Sequence, residues 1–383
     1  MEKIKNIFIV CGEPSGDINA ANLAKAMLRL DPRVRISGIA GEVSREAGVY
    51  IYRDIKELSV MGLSDVLKKL PLFLSLQKFI LDKISFSKPD AIILVDFSGF
   101  NLRLAKKINK NIPVIYYVSP QVWASRAGRL KTIKKYVDKV VVLYKFEEEF
   151  YKKHGIDAEF AGHPLLDIVR PSMGKEEFLR RSGIPPADKI IALLPGSRKQ
   201  EIKHILPLML EAAAIMDRKI KGLGFIIAKP PQVNMDIYNR LVNKSGINLK
   251  VIEGQTYDCL NAADFCLVAS GTATLETAIM QKPFALIYKM NLLNYLIYRP
   301  QVKIPYICMA NIIAGKGVVP EFIQFGACPY RIAVESMKIM TDPAKLKTMK
   351  EGLASVKSLL GEDGASKRAA RIILDYLKNK DAF

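Results

Sequence analysis

Short, mostly β-branched apolar runs recur along the first third of the chain, at residues 7–11 (IFIVC), 36–40, 91–95 (AIILV), 114–118 (VIYYV) and 139–143 (KVVVL). Runs that are continuously apolar, rather than alternating, predict strands buried on both faces of a parallel sheet. Between them, residues 19–30 and 102–109 repeat apolar positions at intervals of three and four, the period of helices packed on one side. The pattern breaks near residues 162–183, with prolines at 164 and 171 and, just beyond, at 185 and 186, and this predicts a domain boundary. It resumes with strands at 190–194, 224–228, 249–252, 265–268 and 284–288 and helices at 201–216 and 273–280, and residues 342–383 read as helical. Strand and helix alternating twice over predicts an α/β protein of two Rossmann-like, doubly wound domains, 1–170 and 171–340, with a cleft between them and a helical tail, 341–383, packing back on the first domain.

Length and composition narrow the class. The 383 residues are enough for two large cores, and neither the 24 glycines nor the 20 prolines are in excess, which excludes disordered and collagen-like chains. The 58 Lys and Arg against 38 Asp and Glu leave a net charge of +20, which favours an anionic partner: nucleic acid, phosphorylated metabolite or acidic membrane. No nucleic-acid-binding motif is present, so the last two are the better fit. The five cysteines (11, 259, 266, 308 and 328) form no C-x-x-C pair, which argues against a disulfide framework or a zinc site and suits a reducing cytoplasm. The first apolar run is too short for a signal-peptide core, and no run is long enough to span a bilayer.

Candidate chemistry falls where predicted strands end. Residues 12–17 (GEPSGD) follow the first strand without forming a dinucleotide fingerprint, so Glu13, Ser15 and Gly16 belong either to a ligand loop or to a tight turn capped by Ser15 or Asp17. Asp96 leaves an apolar strand, where partial desolvation raises basicity and suits a general base; a helix cap is the alternative. Gly196, Ser197 and Arg198 follow the first strand of the second half and offer a close backbone approach, a hydroxyl and a planar fork for phosphate oxygens, or else a capped helix with a surface arginine. Ser270, Gly271, Thr272, Ala273 and Thr274 end a strand and open a helix, the composition of a diphosphate site, with Glu276 one turn inside to accept from ribose hydroxyls. The three histidines are scattered and no D-x-D occurs, so no metal site and no cofactor are expected. Residues 61–81 carry Val66, Leu67, Leu70, Phe73 and Leu74 interleaved with Lys68, Lys69 and Lys78, either a membrane-interface patch or core; residues 290–306 are a second candidate.

Eight blocks in order, CGEPSGD, ELSVMGLSDVL, VDFSGFN, YYVSPQVWA, AGHPLLD, LLPGSR, ASGTATLE and ANIIAGKGVVPE, together resemble the lipid A disaccharide synthases, inverting glycosyltransferases of the GT-B fold (family 19). The resemblance runs from about residue 7 to 322. It implies two domains facing a central cleft, and transfer of 2,3-diacylglucosamine from UDP to 2,3-diacylglucosamine 1-phosphate at the anionic cytoplasmic face of the inner membrane, by a peripheral protein, with an oligomer allowed. It maps the catalytic aspartate onto Asp96, an essential arginine onto Arg198 and the nucleotide-phosphate loop onto residues 270–276, and adds Asn311 as a substrate contact. The family's second acid is absent at Gly99, and Ala310 stands where proline is usual. Within the same fold the alternatives are a lipid-linked N-acetylglucosaminyltransferase or a UDP-sugar 2-epimerase.

Overall fold

The computed structural model describes residues 5–59, 70–125, 127–292, 295–296 and 304–381. Its chain forms two units: Met1–Asp167 together with Leu360–Phe383, and Ile168–Leu359. In the first unit the strands are β1 (Asn6–Val10), β2 (Arg35–Ala40), β3 (Tyr50–Asp54), β4 (Ala91–Val95), β5 (Val114–Tyr117), β6 (Lys139–Val142) and β7 (Ala158–Phe160). They lie in the order β3-β2-β1-β4-β5-β6-β7, and every pairing is parallel. Every residue of β4, β5 and β6 is buried, which is why these strands are apolar in sequence apart from Lys139, whose ammonium pairs with Asp157 and Glu159.

The second unit repeats the plan with β8 (Lys189–Leu194), β9 (Leu223–Lys229), β10 (Leu249–Glu253), β11 (Phe265–Ala269), β12 (Phe284–Tyr288) and β13 (Glu321–Ile323). Their order is β10-β9-β8-β11-β12-β13, again all parallel. In both sheets the chain winds outward one way from the first strand and then returns to its other side. The reversal lies between β1 and β4 in one unit and between β8 and β11 in the other, where crossover helices part and leave a crevice at the strands' carboxyl ends.

Three edge strands escape the sequence pattern. β7 and β13 have only three residues each, and β3 (YIYRD) mixes charge into a half-buried edge. Helices also start earlier than their apolar stripes. The helix Pro14–Leu30 takes residues 14–17 into its first turn, where proline's missing N–H costs nothing. The helix Ser98–Ala105 likewise begins four residues before its expected start at 102. The helices after residue 341 do not form one tail on the first domain. The helix Pro343–Leu359 stays in the second unit against Thr272–Ile279 and Met309–Ala314, whereas Ala365–Asp381 packs on Pro14–Leu30 in the first. The Nε of Arg368 donates to the Ala161 carbonyl at 2.8 Å, and the His163 N–H to Leu360 at 3.0 Å, tying the returning chain to the end of β7.

Among the described residues no helix is long and apolar enough to cross a membrane. Of the expected surface patch, Val66, Leu67, Lys68, Lys69 and the side chain of Leu70 lie outside the described residues. In the helix Leu70–Ser87, Leu76, Ile80 and Ile84 recur every fourth residue and are buried. Phe73 is half-buried, its ring 6.2 Å from that of Phe97 and 6.0 Å from that of Phe100. Leu74 is 56% exposed and Lys78 is also exposed. This helix therefore has a core stripe and an open side carrying an apolar residue.

Replacing Ile80 with Ala should cost roughly 2–5 kcal/mol of stability through the cavity left behind, while Leu74→Ser should stay within about 0.5 kcal/mol of the parent. Urea denaturation of the two variants checks this, and equal losses would contradict the helix orientation.

Candidate active site

In the first unit the candidate residues gather at the β1/β4 reversal. Glu13 and Ser15 are exposed at the start of the helix Pro14–Leu30, and Gly16 is buried beneath them. A Cβ on Gly16 would stand 3.3 Å from Cys11 Cβ and 3.7 Å from Asp96 Cβ, so a small residue here lets the helix close against both strand ends. Asp17, weighed as a cap for its own helix, caps another one. Its carboxylate accepts from the N–H groups of Gly41 (2.8 Å), Val43 (3.2 Å) and Ser44 (3.3 Å) and from the Ser44 hydroxyl, at the start of the helix Glu42–Glu46.

Asp96 directly follows β4 and is half-buried. Burial pushes its carboxyl above the ordinary range, offset in part by a hydrogen bond from the Phe97 N–H. Asp96 and Phe97 both adopt left-handed backbone, with φ of +48° and +47°. Gly99 is exposed, and a Cβ there would touch nothing within 4 Å.

The second unit has the matching arrangement. Gly196 follows β8 with φ +102°, and a Cβ there would lie 2.7 Å from Glu201 Oε2 and 3.6 Å from Ala269 Cβ, so only glycine fits where the two loops of the β8/β11 reversal meet. Ser197 is exposed, and the side chain of Arg198, 76% exposed, forms an ion pair with Glu201 at 3.2 Å at the start of the helix Lys199–Lys219. After β11, Ser270 donates its N–H to Ile287, and Gly271, φ +143°, precedes the helix Thr272–Ile279. Thr272 and Ala273 occupy its first turn, where backbone N–H groups lack intrahelical acceptors. The buried Thr274 hydroxyl donates to Gly271 at 2.8 Å and fixes that turn.

Glu276 faces a cavity of about 390 Å³ lined also by Arg170, Ser172, Gln255, Tyr257 and Asp258. Burial raises its carboxyl pKa, and the Tyr257 hydroxyl donates to it at 3.1 Å. Asp258 itself is occupied, accepting from the Ser172 N–H (2.7 Å) and hydroxyl (2.8 Å). Tyr257 carries no motif in the sequence and is brought to Glu276 only by the fold.

Asn311, expected as a substrate contact, is a structural residue in this fold. It is buried; its amide donates to the Val319 carbonyl (2.9 Å) and Glu321 Oε1 (2.8 Å), and its oxygen accepts from Val318 (2.8 Å) and Val319 (2.9 Å). All four hydrogen-bonding positions are taken. Its helix, Met309–Ala314, packs against Thr272–Ile279, so it supports the loop rather than reaching into it. Among the described residues, no group of three or more His, Cys, Asp or Glu side chains converges as a metal-ligand set.

Residues 7–373 match the family model described as lipid-A-disaccharide synthetase. The lipid-A-disaccharide synthase of Syntrophus aciditrophicus is 42% identical over 98% of this chain and 99% of its own length. That of Myxococcus xanthus is 38% identical over 97% of each.

The chain belongs to the lipid-A-disaccharide synthase family.

It is thus a member of a glycosyltransferase family, with the two-domain GT-B fold. Solved structures repeat that fold at low identity: the glycosyltransferase of kitacinnamycin (TM-score 0.65, 15% identical, covering 98% of this chain and 100% of that one) and the UDP-GlcNAc 2-epimerase of Neisseria meningitidis (TM-score 0.58, 14% identical, 98% and 100%).

Sequence reasoning also passed over a carboxyl of this synthase-family chain that lies beyond the candidate loops. Glu147 is buried and accepts from Trp123 Nε1 at 2.9 Å, and burial pushes its pKa up to about 7. The folded protein therefore holds a proton that the unfolded chain releases near pH 4.5, and stability falls as pH rises from about 4.5 through 7, by up to ~3 kcal/mol. Glu147→Gln keeps an acceptor for Trp123 and removes that cost. The variant's advantage in melting temperature over the parent should grow from pH 5 to pH 8; a pH-independent difference would show that Glu147 is not held neutral.

Proposed function

We propose that this chain transfers 2,3-diacylglucosamine from UDP to 2,3-diacylglucosamine 1-phosphate, with inversion, giving a β-1,6-linked disaccharide 1-phosphate and UDP. The observation that carries the reading is Asp96, a desolvated carboxylate at the reversal point of the first sheet. It takes the proton from the acceptor's 6-hydroxyl as that oxygen attacks the anomeric carbon and the bond to UDP breaks. The sugar passes through an oxocarbenium-like state, as in glycoside hydrolysis. Exposed Glu13 and Ser15, over Gly16, belong to the acceptor side of this chemistry.

UDP belongs to the second unit. The first turn of Thr272–Ile279 with Gly196 and Ser197 offers N–H groups to the diphosphate, Ser197 and Ser270 offer hydroxyls, and the helix dipole favours its charge. An exposed ion pair such as Arg198–Glu201 is worth at most about 1 kcal/mol, so the guanidinium can leave Glu201 for a phosphate at small cost. Glu276 accepts from the ribose hydroxyls in place of Tyr257. The net charge of +20 and exposed apolar residues such as Leu74 suit an enzyme working at the anionic cytoplasmic surface of the inner membrane, where acylated substrates reside.

The deciding assay is turnover of UDP-2,3-diacylglucosamine with and without the monosaccharide 1-phosphate; UDP release independent of acceptor would reject the reading. Asp96→Asn should lower kcat by about 10²–10⁴-fold while leaving UDP affinity within a few-fold of the parent, and near-normal turnover would remove Asp96 as base. Arg198→Ala should weaken UDP binding roughly 10- to 100-fold, the loss expected for a charge-assisted hydrogen bond. Activity should persist in EDTA, and strict dependence on magnesium would require another means of holding the diphosphate.

A further inference from the structure

We propose that Asn101 and Tyr116 are positioning residues for Asp96, holding the strained turn that aims its carboxylate. The inference rests on the reading of Asp96 as the base. Two consecutive non-glycine residues in left-handed backbone are costly, on the order of 1 kcal/mol or more each, and such a turn persists only where its surroundings impose it.

Here the imposing contacts converge on one atom. The Asp96 carbonyl accepts from the Tyr116 hydroxyl at 2.6 Å and from Asn101 Nδ2 at 2.9 Å. The same Nδ2 stands 3.3 Å from the Val95 carbonyl and 3.4 Å from that of Val10, so one amide joins the carboxyl ends of β4 and β1, the two strands flanking the reversal. Asn101 Oδ1 is buried with no partner among the described residues. Turning the amide over would satisfy neither end, because Oδ1 would then face three carbonyl oxygens. The orientation is thus dictated by the carbonyls it gathers.

Both side chains are fully buried, so neither is placed to meet substrate. Their hydrogen bonds to Asp96 go to its backbone carbonyl. Removing the Tyr116 hydroxyl should therefore misdirect the carboxylate without abolishing its desolvation, the main cause of its raised basicity. The neighbouring Tyr117 is an internal control. It is equally buried and on the same strand, but consecutive strand residues point to opposite faces of the sheet.

The experiment compares Tyr116→Phe, Tyr117→Phe and Asp96→Asn in the full-length protein, measuring kcat, donor KM, the pH profile and melting temperature. Tyr116→Phe should lower kcat about 10- to 100-fold, the scale of loss for a catalytic group displaced by about an ångström. Donor KM and the apparent pKa of the rate profile should stay those of the parent, and Tyr117→Phe should keep parental kcat. Unchanged kcat in Tyr116→Phe, or losses in both tyrosine variants that track melting temperature, would overturn the proposal. Full activity in Asp96→Asn would instead defeat the base reading itself. An inactive Asp96→Asn beside an unimpaired Tyr116→Phe defeats the positioning role alone.

Discussion

A parallel sheet that grows from its first strand in one direction and then in the other must part its crossover helices where the growth reverses. The right-handed crossover puts successive helices on one face until that point and on the opposite face after it. Both units obey this constraint, and the candidate groups around Asp96 and Gly196 follow from it. Asp96 and Gly16 face one another across β1 and β4, and Gly196 meets Ala269 across β8 and β11. The loops can hold chemistry because the strands behind them are rigid, buried and continuously paired.

Buried polar side chains divide by whether their capacity is already used. Asp17, Asp258 and Asn311 are buried and have partners along their own chain: a helix start, the segment entering the second unit and the loop before β13. Their hydrogen bonds stabilise the fold and leave little for a ligand. Asp96 and Glu276 are desolvated with few partners, so each retains acceptor capacity and a raised pKa. Burial alone does not distinguish a scaffold carboxylate from a chemical one; the number of donors already spent on it does.

The two sites also differ in how their geometry is maintained. In the second unit glycine supplies the unusual backbone at 196 and 271 at no steric cost. In the first, Asp96 and Phe97 take such backbone without glycine's freedom, and contacts from a neighbouring strand and the following helix hold them there. With a side chain at both positions, the strain must be offset from outside the turn.

Much of this was legible in the order of residues. Continuous apolar runs gave away the buried central strands, because a strand covered on both faces has no polar side to show, and strand ends marked Asp96, residues 196–198 and residues 270–276 as candidates. The two three-residue edge strands and the half-buried, charge-bearing edge β3 were invisible, since they have too little length or burial to impose a pattern. Helix starts at Pro14 and Ser98 were misplaced because a first turn is shaped by backbone hydrogen bonds rather than by apolar spacing. The parting of the terminal helices between two units, the occupation of Asn311, the pairing of Tyr257 with Glu276 and the clasp on the Asp96 carbonyl were decided only by tertiary structure. Each depends on which groups the fold brings into packing or hydrogen-bonding contact, whether five residues apart, as Asn101 and Asp96 are, or many more, and local periodicity carries no record of that contact.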